Sequence, residues 1–196
     1  VIDANGNPLF ESMTVWPPSI MDIVNHQLDL SYYVDKDTPD TLRQIGQRTV
    51  KAFGIWNRFV HLEFFRLDSD REGLGRKGDF VALEVNMRPA GGYTPDMINY
   101  AHSTDVYKIW ADMVAFGERR TSQGHQQYCA FASRRDIHSY VHSHEDVLNR
   151  YGDRIVMCER MPELFSAAMG QQMYTVRLNS LEEVNDFVEF VHEKRQ

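Results

Sequence analysis

The sequence predicts an α+β protein, in which a mainly antiparallel sheet with flanking helices is followed by a small α+β subdomain. Two runs of strand character, 59–67 and 79–88, enclose a polar, glycine-rich stretch in the pattern of a β-hairpin. After residue 127, short strand-like and helix-like segments alternate. Residues 180–194 have the apolar stripe of an amphipathic helix, with Ser180 and Glu183 at the spacing of a capping box.

Residues 1–34 are expected to be largely extended. Asn5-Gly6 lies between two short strand-like runs and predicts a tight turn. Residues 9–34 are predicted to be extended and irregular, because the double proline Pro17-Pro18 is incompatible with a helix or a central strand. The chain starts inside a hairpin pattern and has no initiator methionine, so we expect it to be part of a longer protein.

A helix is predicted over 41–53, with Thr38 as its cap, Pro39 in its first turn and Gly54 at its end. A helix-rich stretch is predicted at 94–116.

The composition becomes polar at 117–127, which predicts a boundary between residues 1–117 and 118–196. The second part is predicted to contain strands at 128–133, 154–159 and 173–178, and helices at 145–150, 163–169 and 180–194.

The composition argues against several classes of protein. The formal net charge is −7, whereas a nucleic-acid interface needs a basic surface. No apolar run approaches the length of a membrane span and no signal-peptide pattern opens the chain, so no membrane partner is expected. The two cysteines, Cys129 and Cys158, lack metal-ligand spacing, and we expect both to be buried thiols in a reducing compartment, the cytoplasm.

The second strand of the hairpin has the most informative pattern, because side chains alternate between the two faces of a strand. One face is wholly apolar and is expected to pack on a core; it consists of Val81, Leu83, Val85 and Met87. The other face presents a carboxylate, an amide and a guanidinium in succession, from Glu84, Asn86 and Arg88.

Glu63 on the first strand shares a face with His61 and Phe65, and it can lie beside Glu84 if the strands pair. Two carboxylates and the Asn86 amide oxygen suit Mg²⁺, which usually takes one or two protein carboxylates. Like charges side by side repel unless a cation lies between them, which favours this interpretation. The alternative is an ordinary solvated face of a sheet, on which Glu, Asn and Arg are common.

Arg88 and the glycine turn after it predict contact with an anion. A guanidinium binds a phosphate or carboxylate through two parallel hydrogen bonds. The Gly91-Gly92 turn allows backbone N–H groups to approach such an anion closely.

The hairpin resembles the metal-binding end of the ATP-grasp superfamily in two stretches, Phe59–Arg71 and Leu83-Glu84-Val85-Asn86-Met87-Arg88-Pro89-Ala90-Gly91-Gly92. That family has an acidic residue on one strand and a Glu-x-Asn-x-Arg pattern on the next. The resemblance covers most of the chain, and the tail is similar to the C-terminal part of the biotin carboxylase and carbamoyl phosphate synthase branch. It implies the C-terminal half of an ATP-grasp domain at 1–117 and a small C-terminal subdomain at 118–196.

The resemblance also implies the roles of the site residues. Glu63, Glu84 and Asn86 would coordinate the Mg²⁺ (or Mn²⁺) ions that bridge the phosphates of ATP. Arg88 would hold the transferred phosphoryl group or the acyl-phosphate intermediate, with Gly91 and Gly92 beside the cofactor. The implied activity is a ligation, in which a small-molecule carboxylate is activated as an acyl phosphate and attacked by an amine or a similar nucleophile.

In this family the nucleotide lid and the adenine-binding hinge precede this region, so the missing N-terminal half of the same protein is an expected partner. A homodimer is also compatible with the sequence. The first alternative is a degenerate, non-catalytic ATP-grasp module for binding or assembly. The second is a divalent-metal hydrolase, in which His61 is the available base.

Other residues give weaker patterns. The group His138, His142, His144 and Glu145 admits a transition-metal site, but a helix that starts at Ser143 is the better explanation. Arg134-Arg135 is better explained as a solvated turn than as an anion site. Four methionines are expected to fill the core: Met157, Met161, Met169 and Met173.

Overall fold

The structure is a computed structural model that describes residues 1–16 and 20–195. The elements, in chain order, are β1 (Met13–Val15), α1 (Ile20–His26), β2 (Ser31–Asp35), α2 (Asp40–Ala52), β3 (His61–Arg66), β4 (Phe80–Asn86), α3 (Thr94–His102), α4 (Val106–Phe116), β5 (Tyr128–Arg134), α5 (His144–Tyr151), β6 (Ile155–Arg160), α6 (Glu163–Met169), β7 (Gln172–Leu178) and α7 (Leu181–His192). The strand pairs formed by the described residues are all antiparallel, which confirms the predicted α+β class.

The chain divides into two compact units, neither of which is continuous in sequence. The first comprises Val1–Glu11, Asp37–Pro95 and Asp105–Ser122, and the second comprises Ser12–Lys36, Asp96–Thr104 and Gln123–Gln196. All residues of the predicted metal and anion site lie in the first unit. The division into ATP-grasp parts at 117/118 stays a prediction.

The first unit contains the two-stranded sheet β3–β4 and a small apolar core. Ile2, Val50 and Ile55 are buried in this core, and three partly buried residues pack against them: Val60, Leu62 and Val85. The predicted turn at Asn5-Gly6 is present, since the Gly6 N–H donates to the Asp3 carbonyl at 3.2 Å and Gly6 has a φ of 80°.

The start of α2 differs from the prediction. Pro39 occupies the N-cap position, where its carbonyl accepts the Arg43 N–H at 2.9 Å, and no side chain caps the helix. The prediction that Thr38 is the cap is therefore wrong. Pro39 has an extended backbone conformation with a ψ of 139°, so the helix begins one residue later, at Asp40. The helix ends at Ala52, close to Gly54 as predicted.

The second unit is built on a five-stranded sheet in the order β1-β2-β5-β7-β6. The core on one face of this sheet contains side chains of β5, β7, α5 and α7: Ala130, Ala132, Val147, Tyr151, Tyr174, Val176, Leu178, Val184, Phe187 and Val191. The opposite face is also buried, and there Tyr32 stacks between Trp16 and Phe131 with ring centroids 3.9 and 4.9 Å apart.

Residues 9–34 were predicted to be extended and irregular. The structure instead has the helix α1 in this range, so the prediction is wrong there, and it has two regular strands, β1 and β2, which the prediction did not specify. Pro17-Pro18, on which that prediction depended, lies outside the described residues. A proline restricts its own backbone conformation and that of the residue before it. It does not restrict the residues after it, so a helix can begin soon after a proline. Ile23 is fully buried and anchors α1 in the second unit.

Two local predictions in the second unit are partly corrected. Ser180 caps α7 and accepts the Glu183 N–H as expected, but the Glu183 carboxylate accepts from Asn179 rather than from Ser180. Cys129 is buried as expected, whereas Cys158, on the edge strand β6, is exposed, so the expectation for Cys158 is wrong. Among the helices in the described part of the chain, none combines the length and the apolar character needed to cross a membrane.

His192 at the end of α7 predicts a stability loss in mild acid. Burial lowers the pKa of His192, although Asp29 and the hydrogen bond from the ring to the Ser133 carbonyl act in the opposite direction. The unfolded chain therefore binds a proton near the ordinary histidine pKa, about 6.5, while the folded chain does not. We expect the free energy of unfolding to fall as the pH is lowered through 6.5 to the depressed pKa, as measured by urea unfolding at several pH values.

The matched variants are His192→Gln and His125→Gln, since His125 is exposed. His192→Gln is expected to flatten the pH dependence between neutrality and the depressed pKa, and His125→Gln to leave it unchanged. Equal slopes in wild type and His192→Gln would contradict the assignment.

Candidate functional site

The hairpin aligns the predicted ligands in cross-strand pairs. Glu63 lies directly opposite Glu84, and His61 lies directly opposite Asn86. Residues two apart on a strand point to the same side, so the four side chains share one face of the sheet. The structure therefore brings together Glu63, Glu84 and Asn86, and it adds His61 to the group.

A β-bulge lies directly beside this group. The register shifts between Glu63 and Phe64, so that Phe64 lies opposite Ala82 and Leu83 has no partner on β3. The shift breaks the alternation on which the predicted apolar face depended. Leu83, at the bulge, is 55% exposed, and Met87, one residue beyond the end of β4, is 46% exposed, so the prediction that both pack on a core is wrong; Val85 does pack there.

Within the described part of the chain, neither Glu63 nor Glu84 forms an ion pair with a Lys or Arg; His61 Nε2 lies 3.7 Å from Glu63 Oε1. Burial lowers the pKa of His61 and Arg88 adds to this, while Glu63 and Glu84 oppose it. The ring is therefore neutral at neutral pH, and the face carries a net negative charge that favours a cation.

Arg88 and the glycine turn lie beyond the end of β4. The Arg88 side chain is exposed, and its Nη1 donates to the adjacent Pro89 carbonyl at 2.9 Å. Gly91 and Gly92 are exposed, and Gly92 has a φ of 59°, a left-handed conformation that suits glycine. Anion binding by these three residues stays a prediction.

Two buried polar atoms on this face have no hydrogen-bond partner among the described residues: His61 Nδ1 and Asn86 Nδ2. Buried polar atoms are nearly always paired, so each such exception needs an explanation. Rotation of the Asn86 amide exchanges its NH₂ group with its carbonyl oxygen, which can then face a cation. A ligand that pairs with either atom stays a prediction.

The described residues do not by themselves form a closed metal centre. Among the described residues, no group of three or more His, Cys, Asp or Glu side chains is arranged to hold a metal ion. Mg²⁺ bound with a nucleotide needs only one or two carboxylates, because waters and phosphate oxygens fill the other positions. Glu63 and Glu84 fit that kind of open site, whereas a closed structural site does not fit.

The three histidines of the candidate transition-metal group have separate partners. His138 Nδ1 lies 3.1 Å from Asp29 Oδ1, His142 Nε2 lies 3.0 Å from Glu193, and His144 Nδ1 lies 2.8 Å from the Tyr174 hydroxyl. Ser143 and Asp146 form a capping box at the start of α5. The preferred explanation, a helix start with histidines nearby, is therefore the one that the contacts support.

The interpretation of Arg134-Arg135 as a solvated turn is wrong. Arg134 is 6% exposed and donates to the carbonyls of Val191 and His142, and Arg135 is 5% exposed. Arg135 donates to three carbonyls, those of Leu28, Ser166 and Ala167. The guanidiniums of both residues hold the backbone of the second unit together.

One carboxylate that the sequence did not single out organises a polar cluster in the second unit. Asp29 Oδ1 accepts the Tyr140 hydroxyl at 2.7 Å, and Oδ2 lies 3.1 Å from Lys194 Nζ. Burial alone would raise the pKa of Asp29, but hydrogen bonds from Tyr140, Lys194 and His138 outweigh it and lower the pKa. The cluster joins three distant parts of the sequence, which no local pattern reveals.

The second unit also has an open cavity of about 240 Å³ between β2 and α7. It is lined by Ser31, Tyr32, Tyr33, Val184, Asn185, Val188 and Glu189, and none of the predicted site residues belongs to it.

Comparisons with known proteins give no family assignment. No protein-family model matches this chain, and no curated protein matches it.

Proposed function

We propose that this chain is the part of an ATP- and Mg²⁺-dependent ligase that binds the metal and the terminal phosphates. The observation that carries the proposal is the direct pairing of Glu63 with Glu84 across the hairpin, beside the buried amide of Asn86 and without a Lys or Arg partner among the described residues. Two neighbouring carboxylates are costly without a cation, and an open carboxylate pair suits Mg²⁺ with phosphate.

Each residue has a distinct part in this proposal. ATP supplies the phosphoryl group that activates a carboxylate substrate for attack by an amine or a similar nucleophile. Glu63 and Glu84 bind the metal, and the Asn86 amide oxygen joins them. Arg88 provides positive charge where negative charge develops on the phosphoryl oxygens, which is the main catalytic task in phosphoryl transfer.

The main alternative is a degenerate ATP-grasp module that serves binding or assembly. A degenerate copy is expected to have lost some of its ligands, whereas this chain has Glu63, Glu84, Asn86 and Arg88. The proposal includes the N-terminal half of the same protein as the partner that completes the nucleotide site. It also includes the cytoplasm as the location, which the two free thiols of Cys129 and Cys158 support.

The test is calorimetric titration of the chain with ADP, with and without Mg²⁺. We expect binding that requires Mg²⁺ and that weakens at least about tenfold in Glu84→Gln, since loss even of groups that only orient a ligand costs 10–100-fold. Without metal, Glu84→Gln is expected to unfold at slightly higher urea concentration than wild type, because one of two adjacent like charges is removed.

The matched control is Glu72→Gln, which removes an exposed carboxylate from the loop of the same hairpin. It is expected to bind Mg²⁺–ADP like wild type. Binding that ignores Mg²⁺, or an equal loss in Glu72→Gln and Glu84→Gln, would contradict the proposal. The absence of binding by wild type would favour the non-catalytic module.

A further inference from the structure

Asp29 contacts one ring nitrogen of His138 inside the second unit. The Asp29 side chain is 5% exposed, and its Oδ1 lies 3.1 Å from His138 Nδ1. Although burial raises the pKa of Asp29, its hydrogen bonds lower the pKa overall, so the carboxylate is ionised at neutral pH and only accepts hydrogen bonds. The proton of a neutral His138 ring is therefore on Nδ1, and the lone pair is on Nε2.

The other ring nitrogen, His138 Nε2, faces solvent. The His138 side chain is 20% exposed, and among the described residues no group forms a hydrogen bond with Nε2. Nε2 is also not one of the buried polar atoms that lack a partner. His61 and His142 differ, because their contacts with carboxylates use Nε2. His138 therefore combines a buried carboxylate at Nδ1 with an accessible lone pair on Nε2, which is the arrangement of an activated histidine.

Tyr140 fixes the position of the Asp29 carboxylate. Its hydroxyl donates to Asp29 Oδ1 at 2.7 Å and accepts the Arg135 N–H at 2.8 Å. The Lys194 ammonium lies 3.1 Å from the other carboxylate oxygen, and its side chain is 44% exposed, so it offsets the charge of Asp29. The Arg134 guanidinium lies over the Tyr140 ring, 4.6 Å from the ring centroid, and adds positive charge. These two cations favour the approach of an anionic reactant.

We propose that His138 is a nucleophile that accepts a phosphoryl group on Nε2 from a small donor in which phosphate is bonded to an amine or an acyl group. Nε2 attacks the phosphorus, the bond to the amine nitrogen or the acyl oxygen breaks, and the amine or the carboxylate leaves with the electron pair. The Nδ1 proton stays in place, and Asp29 stabilises the positive charge that develops on the ring. Asp29 is a positioning residue here. The site lies in the second unit, uses no residue of the hairpin and does not depend on the proposed function.

The test is reaction of the whole chain with phosphoramidate at about pH 8, where ordinary histidines are neutral. Mass spectrometry of peptides gives the rate at each histidine, and ³¹P NMR with ¹⁵N-labelled histidine identifies the ring nitrogen that carries phosphorus. We expect His138 to react at least about tenfold faster than the exposed His125, because a carboxylate at Nδ1 activates the ring. We also expect only the Nε2 isomer at His138, because Asp29 occupies Nδ1.

Four variants assign the reaction to this pair. His138→Gln is expected to lose the fast labelling, and His125→Gln to retain it. Asp29→Asn is expected to slow the reaction at His138 at least about tenfold and to admit the Nδ1 isomer, which a purely structural role for Asp29 does not predict. Asp153→Asn, which alters an exposed carboxylate, is expected to leave both the rate and the isomer unchanged.

The isomer formed by the wild type tests the role of Asp29 even if Asp29→Asn does not fold. Labelling of His138 that is no faster than that of His125 would overturn the proposal, and so would an Nδ1 isomer at His138 in the wild type. Fast labelling that persists in His138→Gln would assign the reaction to another residue and would overturn it as well. None of these results bears on Mg²⁺–ADP binding by the hairpin, so the failure of one proposal is distinguished from the failure of the other.

Discussion

Phe187→Ala is expected to lower the free energy of unfolding of the second unit by about 3–5 kcal/mol, the usual cost of truncating a buried aromatic side chain. Phe187 lies on α7, is fully buried, and packs edge-on against Tyr151 with the ring centroids 5.1 Å apart. Removal of the ring loses the transfer free energy of the apolar atoms. It also leaves a cavity that the surrounding strand residues, Ala130 and Ala132, are too small to fill.

The measurement is urea unfolding, with the midpoint and the slope fitted separately so that a change in stability is distinguished from a change in exposed surface. The matched control is Leu181→Ala on the same helix, where Leu181 is 41% exposed. Its cost is expected to be less than about 1 kcal/mol. Similar costs for the two variants would mean that α7 does not pack on the sheet as described.

Local patterns in the sequence predicted most of the elements after residue 40, but they missed α1 and did not predict which faces those elements bury. The β3–β4 hairpin follows from a period-2 pattern, and the helices α5 and α7 follow from helical patterns with recognisable caps. The bulge at Glu63/Phe64 has no such signal, because Leu83 has the same apolar character as the residues that do pack. The predicted apolar face was therefore half wrong, although the strand itself was right.

The candidate site was predictable because its members are close in sequence along two adjacent strands. Once the strands pair, the positions of Glu63 and Glu84 follow from simple alternation, and the register places His61 opposite Asn86. The structure adds what alternation cannot provide, namely the burial of His61 Nδ1 and Asn86 Nδ2 without partners among the described residues. Burial of that kind depends on packing by residues far away in the sequence.

The burial of Arg134 and Arg135, in contrast to the candidate site, was not predictable from the sequence. Two adjacent charged residues at the end of a strand are usually solvated, and nothing in the neighbouring sequence indicates burial. Their partners are carbonyls of residues up to 107 positions away, such as Leu28. A burial that depends on such distant acceptors becomes visible only in the folded chain.

Arg135→Met is expected to lower the free energy of unfolding by about 2–4 kcal/mol. Arg135 donates from Nε to the Leu28 carbonyl at 2.8 Å and from Nη2 to the Ala167 carbonyl at 2.9 Å. A buried acceptor that loses its donor costs about 1–3 kcal/mol. Three carbonyls lose theirs in this variant, and all three hydrogen bonds are only partly buried, so the expected total is less than three full costs. Methionine retains much of the apolar side-chain volume, so the cost reports on the hydrogen bonds rather than on a cavity. The loss is measured by urea unfolding.

The matched control is Arg160→Met, because Arg160 is exposed and pairs with Asp136 on the surface. Exposed ion pairs contribute about 0–1 kcal/mol, so this variant is expected to unfold close to wild type. Arg135→Lys retains the charge but not the planar fork of donors, and it is expected to be intermediate between wild type and Arg135→Met. If Arg135→Met is no less stable than Arg160→Met, the guanidinium of Arg135 does not support these carbonyls, and the solvated turn predicted from the sequence is the better description.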